Sequence, residues 1–478
     1  MTPDSGLSEQ KLDQERQRLA TMKAGMNEPA KAAIVAQAEA LLKRQAQKDD
    51  PEILPKVTLS DVPVTLPRLE YQETRIGNIP FTLYEQGTNG LVYQQLSCAL
   101  PAMDTQELAM LPHLTGMTAE LGLGDADYLA TQHRQSSSVG SINLFTSMRG
   151  SIEDEQITQA CLVLSSKALA RKSSEQAQLM RDTLLDVRFD ELSRIRELVA
   201  QQRARREQSI TGQGHSLAML AACAGMSPLA ALHHELSGMQ GIAALRQLDD
   251  SLAEPANLEA FAQRLQQLHA KLQDADWEAL IVAEPGRTDD LAREAADIWQ
   301  TLPHQGAEPL RLPMLRESRR ECWVANSQVS FCAKAYATVP SGHADAAALT
   351  VLAGYLRNGF LHRAIREQGG AYGGGASHDA SIAAFRFYSY RDPRIEGTLN
   401  DFDASIEWMA QGDHSATGLE EAILGVIGSI DKPGSPAGEA KQDFHNRRFG
   451  RNHEQRMAFR QRILDVSMDD LKRVSQLY

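Results

Sequence analysis

Long apolar runs are missing from this 478-residue chain. The longest uncharged stretch, Ser216 to Leu232, is alanine-rich, broken by Gly225 and Pro228, and shorter than the ~20 apolar residues of a membrane span. Two buried helices joined by a turn are expected there, and no membrane partner. Nothing after Met1 reads as a charged region followed by an apolar core, so a secretory signal is not expected. Cysteine is scarce: Cys98, Cys161, Cys223, Cys322 and Cys332 are odd in number and scattered among mostly apolar neighbours. That pattern predicts free thiols in a reducing compartment, the cytoplasm or alternatively an organelle matrix. An excess of positive charge is also lacking. The formal net charge of -13 excludes a general nucleic-acid binder and suits a protein whose long-range field attracts basic peptides. The basic clusters at Arg203, Arg205 and Arg206, at Arg316, Arg319 and Arg320, and at Arg447, Arg448 and Arg451 are interleaved with acids or polar helical residues and read as solvated helix faces.

The chain is too long for one core. Residues 7 to 48 read as a helical hairpin: Ser8 can open the first helix, Gly25 closes it, and Asn27-Glu28-Pro29 opens the second, with proline in the first turn where its missing donor costs nothing. Most other positions are charged, Gln or Ala, so the hairpin needs something else to pack on. Pro51 to Pro67 is proline-punctuated and extended, as a linker would be. Two similar blocks follow. The first runs from a strand near Val92 to Leu100, through a helix near Gln106 to Leu121 and strands near Ser138 to Met148 and Ala160 to Leu169, to a helix from Ser174. The second runs from Gln328 to Thr338, through a helix ending at Arg366 and strands near Ala376 and Ala384 to Tyr390, to a helix from Gly397. The order repeats at roughly 225 residues, a domain-sized period. The fold class expected is α+β, two homologous sheet-plus-helices domains from a tandem duplication preceded by a helical hairpin linker, with boundaries at 1–52, 53–305 and 306–478. Phe189 to Leu272 is helical in pattern, and Glu454 to Tyr478 reads as helix to the last residue.

The densest chemistry lies in Ile365-Arg366-Glu367-Gln368-Gly369-Gly370-Ala371-Tyr372-Gly373-Gly374-Gly375, which puts a cation and a phenol six residues apart across a helix end. Leu349, Leu352, Leu356 and Phe360 recur at helical spacing and predict a buried helix running to Arg366. Gly369-Gly370 is the stop signal, because glycine tolerates the left-handed cap conformation. Two donors leaving one helix terminus can converge on one substrate oxygen, which is how charge developing in a transition state is stabilised. The plainer alternative has Arg366 complementing the negative helix end and Tyr372 packed in the core.

This stretch, with Phe385-Arg386-Phe387-Tyr388-Ser389-Tyr390-Arg391-Asp392-Pro393, resembles the carboxy-terminal half of presequence proteases, a branch of the insulin-degrading-enzyme/pitrilysin superfamily of zinc metallopeptidases. The resemblance covers almost the whole chain; Gly214-His215-Ser216-Leu217-Ala218 and the leading helical segment look like the same branch. It implies that Arg366 and Tyr372, as catalytic and substrate-binding residues, reach across a closed chamber to a zinc site in the amino-terminal half, the expected partner. It also implies that unstructured peptides are cut in that largely acidic chamber, and that Gly373 and Gly374 let the backbone pass close to a bound peptide or the partner half. In the resembled family a further strand would follow the last helices, so the chain is expected to be a fragment truncated at both ends.

The superfamily's His-x-x-Glu-His, which sets two imidazoles on one helix face with a carboxylate to activate water, is absent. His233-His234-Glu235 has the right residue types in the wrong order. His453-Glu454-Gln455-Arg456-Met457 puts a thioether where the second ligand must be, and both read as surface helix residues. No metal ligand and no cofactor are therefore assigned to this chain, zinc being implied only for the missing half, and the chain alone is expected to be inactive. Gly214 to Ala218 lacks the strand and the final glycine of a nucleophile elbow and reads as a helix start capped by Ser216 or His215. Gly370 and Gly375 have phosphate-loop spacing, but Ala376-Ser377 follows where Lys-Ser/Thr is needed. His378 and Asp379 read as a polar pair in a turn. The function expected is the carboxy-terminal half of a zinc metalloendopeptidase, contributing chamber wall and transition-state contacts. The alternatives are a non-catalytic half-size subunit or peptide-binding or assembly module, and a helical interaction scaffold.

Overall fold

The computed structural model describes residues 7–47, 53–303 and 306–478. Residues 1–61 and 62–478 form separate compact units. In the smaller unit, α1 (Leu7–Ala24) and α2 (Glu28–Ala46) make the expected hairpin. Asn27 opens α2 by accepting from the Ala30 N–H at 3.0 Å, which satisfies a donor the helix cannot. Leu12, Leu19, Ile34, Val35, Leu41 and Leu42 stay exposed. The side chain of Ser8 and residues 48–52 lie outside what is described.

The larger unit begins with β1 (Gln72–Ile76), β2 (Ile79–Glu85) and β3 (Leu91–Ala99), then α3 (Thr105–Met117), α4 (Tyr128–Ser138), β4 (Ser141–Gly150), β5 (Thr158–Leu169) and α5 (Ser173–Leu185). A helical layer follows: α6 (Leu192–Gly212), α7 (Gly214–Cys223), α8 (Pro228–Ser237), α9 (Met239–Ser251) and α10 (Pro255–Gln273). Then β6 (Glu278–Ala283) and α11 (Thr288–Trp299) return to the first sheet, whose order is β1-β2-β6-β3-β5-β4. All its pairs are antiparallel except β2 with β6. Strands β1, β2 and β6 and helices α4 and α11 were not expected from the sequence. In β6, Ala279 to Ala283 are all buried, so the alternation that marks a half-exposed strand is lost.

The two faces of β6 explain this. Ala279 and Ile281 pack with Phe81, Trp277 and Trp299 in the core beneath the helices, whereas Leu280 and Val282 pack with Tyr84 against Ala437, Ala440 and Phe444 of a much later helix. Successive side chains point to opposite faces, so each face finds a separate cover.

The second block comprises β7 (Ala333–Ala337), α12 (Ala346–Leu356), a π-helix (Arg357–Gln368), β8 (Gly373–Asp379), β9 (Ala384–Tyr390) and α13 (Glu396–Gln411). Its strands lie in the order β7-β9-β8, both pairs antiparallel. This repeats β3-β5-β4 with the helix again between first and second strands, as a duplication requires. The expected single helix to Arg366 is α-helical only to Leu356. Gly359 then passes the Trp408 ring so closely that a Cβ there would lie 2.6 Å from it, and Phe360 packs on the same ring at 5.8 Å. Helices α14 (Ala416–Ile430), α15 (Pro436–Arg448), α16 (His453–Leu464) and α17 (Met468–Leu477) complete the chain. The expected final helix is broken at 465–467, where Ser467 opens α17 with a capping box to Asp470. The uncharged stretch at 216–232 is indeed two helices, α7 and α8, and Cys223, Leu229 and Ala230 on them pack on Ile382 and Ala384 of the second sheet region. Among the described residues no helix is long and apolar enough to cross a membrane.

The basic cluster on α15 is not a solvated face. The Arg447 guanidinium lies 3.6 Å from the Tyr71 ring centroid and donates to Glu73 at 2.8 Å, Arg448 pairs with Glu278, and His445 meets Gln95 at 2.9 Å. Tyr84 donates to the Asp443 carboxylate at 2.7 Å, and burial with that carboxylate raises the phenol's pKa. Tyr84→Phe keeps the ring but leaves the buried Asp443 with a weaker partner set. It is expected to cost about 1–3 kcal/mol, read as a lowered urea midpoint at unchanged m-value.

Candidate functional site

Three backbone contacts position the Arg366–Tyr372 segment. The π-helix closes with Gly370 N–H donating to Arg366 O at 3.2 Å and Ala371 N–H to Ile365 O at 3.1 Å. Gly370 has φ +80, the left-handed turn only glycine takes without strain. Tyr372 N–H then donates to Tyr390 O at 3.1 Å, delivering the chain onto β9 as edge strand β8. The Arg366 guanidinium carbon consequently lies 5.8 Å from the Tyr372 ring centroid, a cation–π arrangement. Tyr372 is 66% exposed, which removes the core-packing alternative. Among the described residues neither the Arg366 guanidinium nor the Tyr372 hydroxyl has a hydrogen-bond partner within the fold.

Tyr390 anchors the pair from below. Its ring meets Tyr372 edge-on at 5.6 Å, His215 edge-on at 5.0 Å and Phe331 at 5.7 Å, with the Arg391 guanidinium 5.4 Å from its centroid. The two sequence stretches singled out, around Gly214 and around Tyr372, are thus brought together. Gly214 permits this, because any Cβ there would strike the Phe331 ring. His215 also packs on Tyr388 at 5.7 Å, and burial lowers its pKa. The expected cap is not found: Gln213 is the N-cap of α7 and makes no side-chain capping bond, while the Ser216 hydroxyl lies 3.4 Å from His215 Nε2. Tyr388 and Tyr390 escaped the sequence reading as site residues, although their i, i+2 spacing on a strand puts both on one face.

Gly373 and Gly374 differ. A Cβ at Gly373 would meet nothing within 4 Å, whereas one at Gly374 would lie 2.8 Å from the Ile365 side chain; Gly374 serves strand–helix packing and Gly373 leaves backbone accessible. His378 and Asp379 sit at the other end of β8, in the strand and not in a turn. His378 contacts the Thr338 and Thr350 hydroxyls at 3.2 Å each, and Asp379 pairs with Arg386 at 3.1 Å.

Of the near-miss metal strings, the first departs from expectation at His234. His234 is fully buried, not a surface residue, 3.2 Å from the Glu321 carboxylate and edge-on to Trp323 at 6.3 Å. His453 starts α16 behind its N-cap Asn452. Among the described residues no group of three or more His, Cys, Asp or Glu side chains is placed to hold a metal ion, so the donor set does not fit a catalytic zinc.

Family models match the chain twice. The associated region of peptidase family M16, subfamily C, matches residues 1–248, and the "PreP C-terminal domain" matches residues 320–478. The chain is 28% identical to the mitochondrial presequence protease of Yarrowia lipolytica and 27% identical to that of Danio rerio, in each case over 100% of this chain and 48% of the relative. It therefore spans about half the length of the curated relatives it matches. Among solved structures, a peptidase M16 inactive domain from Pseudomonas fluorescens superposes with a TM-score of 0.59 at 18% identity, covering 86% of this chain and 95% of that one. The periplasmic protease PqqL from Escherichia coli superposes with a TM-score of 0.55 at 14% identity, covering 96% of this chain and 50% of that one. These two superpositions establish the fold.

Burial holds His378 neutral down to about pH 4, and does the same for His269 and His445. A histidine in the unfolded chain takes its proton near ~6.5. Between those values the unfolded state binds more protons, so the stability these groups confer is full above ~6.5 and lost as pH falls toward 4. Going from about pH 7 to about pH 5 is expected to lower unfolding free energy by about 2 kcal/mol per such histidine. In urea titrations His378→Gln should remove one share of that slope.

Proposed function

Because the chain belongs to the family of regions associated with subfamily C of the M16 peptidases, we propose that it is the carboxy-terminal half of a metalloendopeptidase that degrades unstructured peptides in a closed chamber, with the amino-terminal half as its partner. The observation that carries the proposal is the Arg366/Tyr372 pair: a guanidinium and a phenol held side by side at a helix end, exposed and without partners among the described residues. Arginines such as Arg447 and Arg460 are matched with carboxylates, whereas the donors of this pair are free and suit an incoming oxygen. In this proposal Tyr372 donates its hydroxyl proton to the oxyanion that develops on the scissile carbonyl, a contact worth about 3 kcal/mol. Arg366 holds a substrate carbonyl or carboxylate in its planar fork, and the open backbone at Gly373 lets the peptide run close to the edge of β8. Gly374 keeps β8 seated on Ile365. The metal and the water-activating carboxylate belong, in this proposal, to the other half, since among the described residues no group of three or more His, Cys, Asp or Glu side chains is placed to hold a metal ion. Domain boundaries at 52 and 305, and a cytoplasmic location with an organelle matrix as the alternative, are part of the same proposal.

A second reading, a non-catalytic half-size subunit or peptide-binding module, draws on the same lack of a metal-binding group among the described residues. The two readings part in the full-length or reconstituted protein. Under the first, Tyr372→Phe lowers turnover ~100-fold or more with substrate affinity nearly unchanged, and Arg366→Lys damages both because charge is kept and the fork lost. A Phe variant with wild-type turnover and melting temperature would remove Tyr372 from the mechanism. Under either reading, metal analysis of the purified chain is expected to find no stoichiometric zinc; one tightly held zinc per chain would overturn the assignment of the metal to the other half.

A further inference from the structure

A cavity of about 630 Å³ lies among α12, α14, α16 and β8, and neither Arg366 nor Tyr372 is in its wall. Four guanidinium groups are: Arg357, Arg451, Arg456 and Arg462, against one carboxylate, Glu421. His378, also in the wall, is neutral above about pH 4, so the wall carries a surplus of positive charge inside a chain whose net charge is -13.

What sets these arginines apart is that four of them line one cavity. Many arginines on this fold are matched with carboxylates, as Arg203 is with Asp249 and Arg460 with Asp431. None of the four cavity arginines has an ion-pair partner among the described residues. Arg462 donates from its Nη atoms to the carbonyls of Ser341, Gly342 and His343. Arg451 is the least satisfied: its Nε and Nη2 are buried without a hydrogen-bond partner, as are Arg462 Nε and the Ser341 hydroxyl. Burial, with Arg149 adding to it, pushes the Arg451 pKa down. Charged donors enclosed in this way are stabilised by an anion.

The backbone keeps the cavity open. Gly354 on α12 and Gly425 on α14 both line it, and a Cβ on either would meet nothing within 4 Å. Glycine inside a helix costs stability relative to alanine, and here it brings no close helix contact. What it leaves is room, walled on the apolar side by Val426 and Phe459.

We infer that this cavity is a binding site for a small organic oxyanion, a carboxylate or phosphate head carried on an apolar body, with the head taken by Arg451 and Arg456 and the body lying against Phe459. The cavity is far larger than a bare phosphate needs, and an apolar wall beside a cationic one is the usual form of a site for such a ligand.

The test is calorimetric titration of the purified chain at low salt with phenyl phosphate, phenylacetate and inorganic phosphate. Saturable binding of an aromatic anion, tighter than inorganic phosphate and weakened at high salt, is expected, and the stronger of the two aromatic probes identifies the head group. Arg451→Gln and Arg456→Gln should each weaken it by about tenfold or more. Gly425→Trp, whose Cβ would meet nothing within 4 Å and whose ring would take up cavity space, should abolish it, with the unfolding midpoint measured alongside to show that the variant is folded. No saturable binding by any of the probes would overturn the inference, and so would binding that survives Gly425→Trp. If Arg451→Gln fails to fold, Arg456→Gln and Gly425→Trp decide alone.

Discussion

The burial of β6 on both faces is the constraint to which the larger unit is built. A strand in the middle of a sheet must cover two rows of side chains, and the chain covers them from two directions. Its own block supplies α11 and the Trp299 core on one face. The second block supplies α15 on the other, through Ala437, Ala440 and Phe444. The two blocks are therefore joined by a shared apolar layer and not merely by a tether. Polar contacts at its rim, Tyr84 with Asp443 and Arg447 with Glu73, set the position of α15, since a buried carboxylate accepts only a narrow range of partner geometries.

With that layer in place, the helical segment between the blocks settles against the second sheet. Helix α7 brings His215 over Tyr388 and Tyr390, and Gly214 gives the clearance for Phe331. Tyr390 supports the Tyr372 ring from beneath. A flexible phenol would lose rotational entropy each time it met a ligand; one resting edge-on against another ring keeps less freedom to lose. The segment that precedes it, Arg357–Gln368, is a π-helix, a form frequent at functional sites.

Arginine is distributed on this fold in two ways. Where two elements must be held, it is matched with carboxylates, as Arg447 and Arg460 are. Arginines without an ion pair include Arg366, beside an exposed phenol, and the group around the cavity of α12 and α14. Both places adjoin β8, near its start and along its later residues. An acidic protein that leaves unpaired cations there concentrates positive potential on that strand's surroundings.

Much was legible in the residues themselves. Asn27 and Pro29 marked the start of α2, Gly369-Gly370 marked the end of the helix before Tyr372, and the strand near Ala384 to Tyr390 matched β9, because caps, stops and alternation act within a few residues of the chain. Spacing alone put Arg366 and Tyr372 near one another across a helix end, and the family resemblance singled them out as candidate site residues. What was misread depended on distant segments. β6 was missed because burial on both faces erases alternation. His234 was taken for a surface residue and is buried, and Arg447 and Arg448 were taken for solvated charges, because the groups that enclose them come from 321–323 and from β1, β2 and β6. Local signals were enough to place the start of α2, the helix stop at Gly369-Gly370 and strand β9. Only the tertiary structure decided that His215 and Tyr390 meet and that four unpaired arginines surround one cavity, since neighbours so far apart in the chain are chosen by packing and not by spacing.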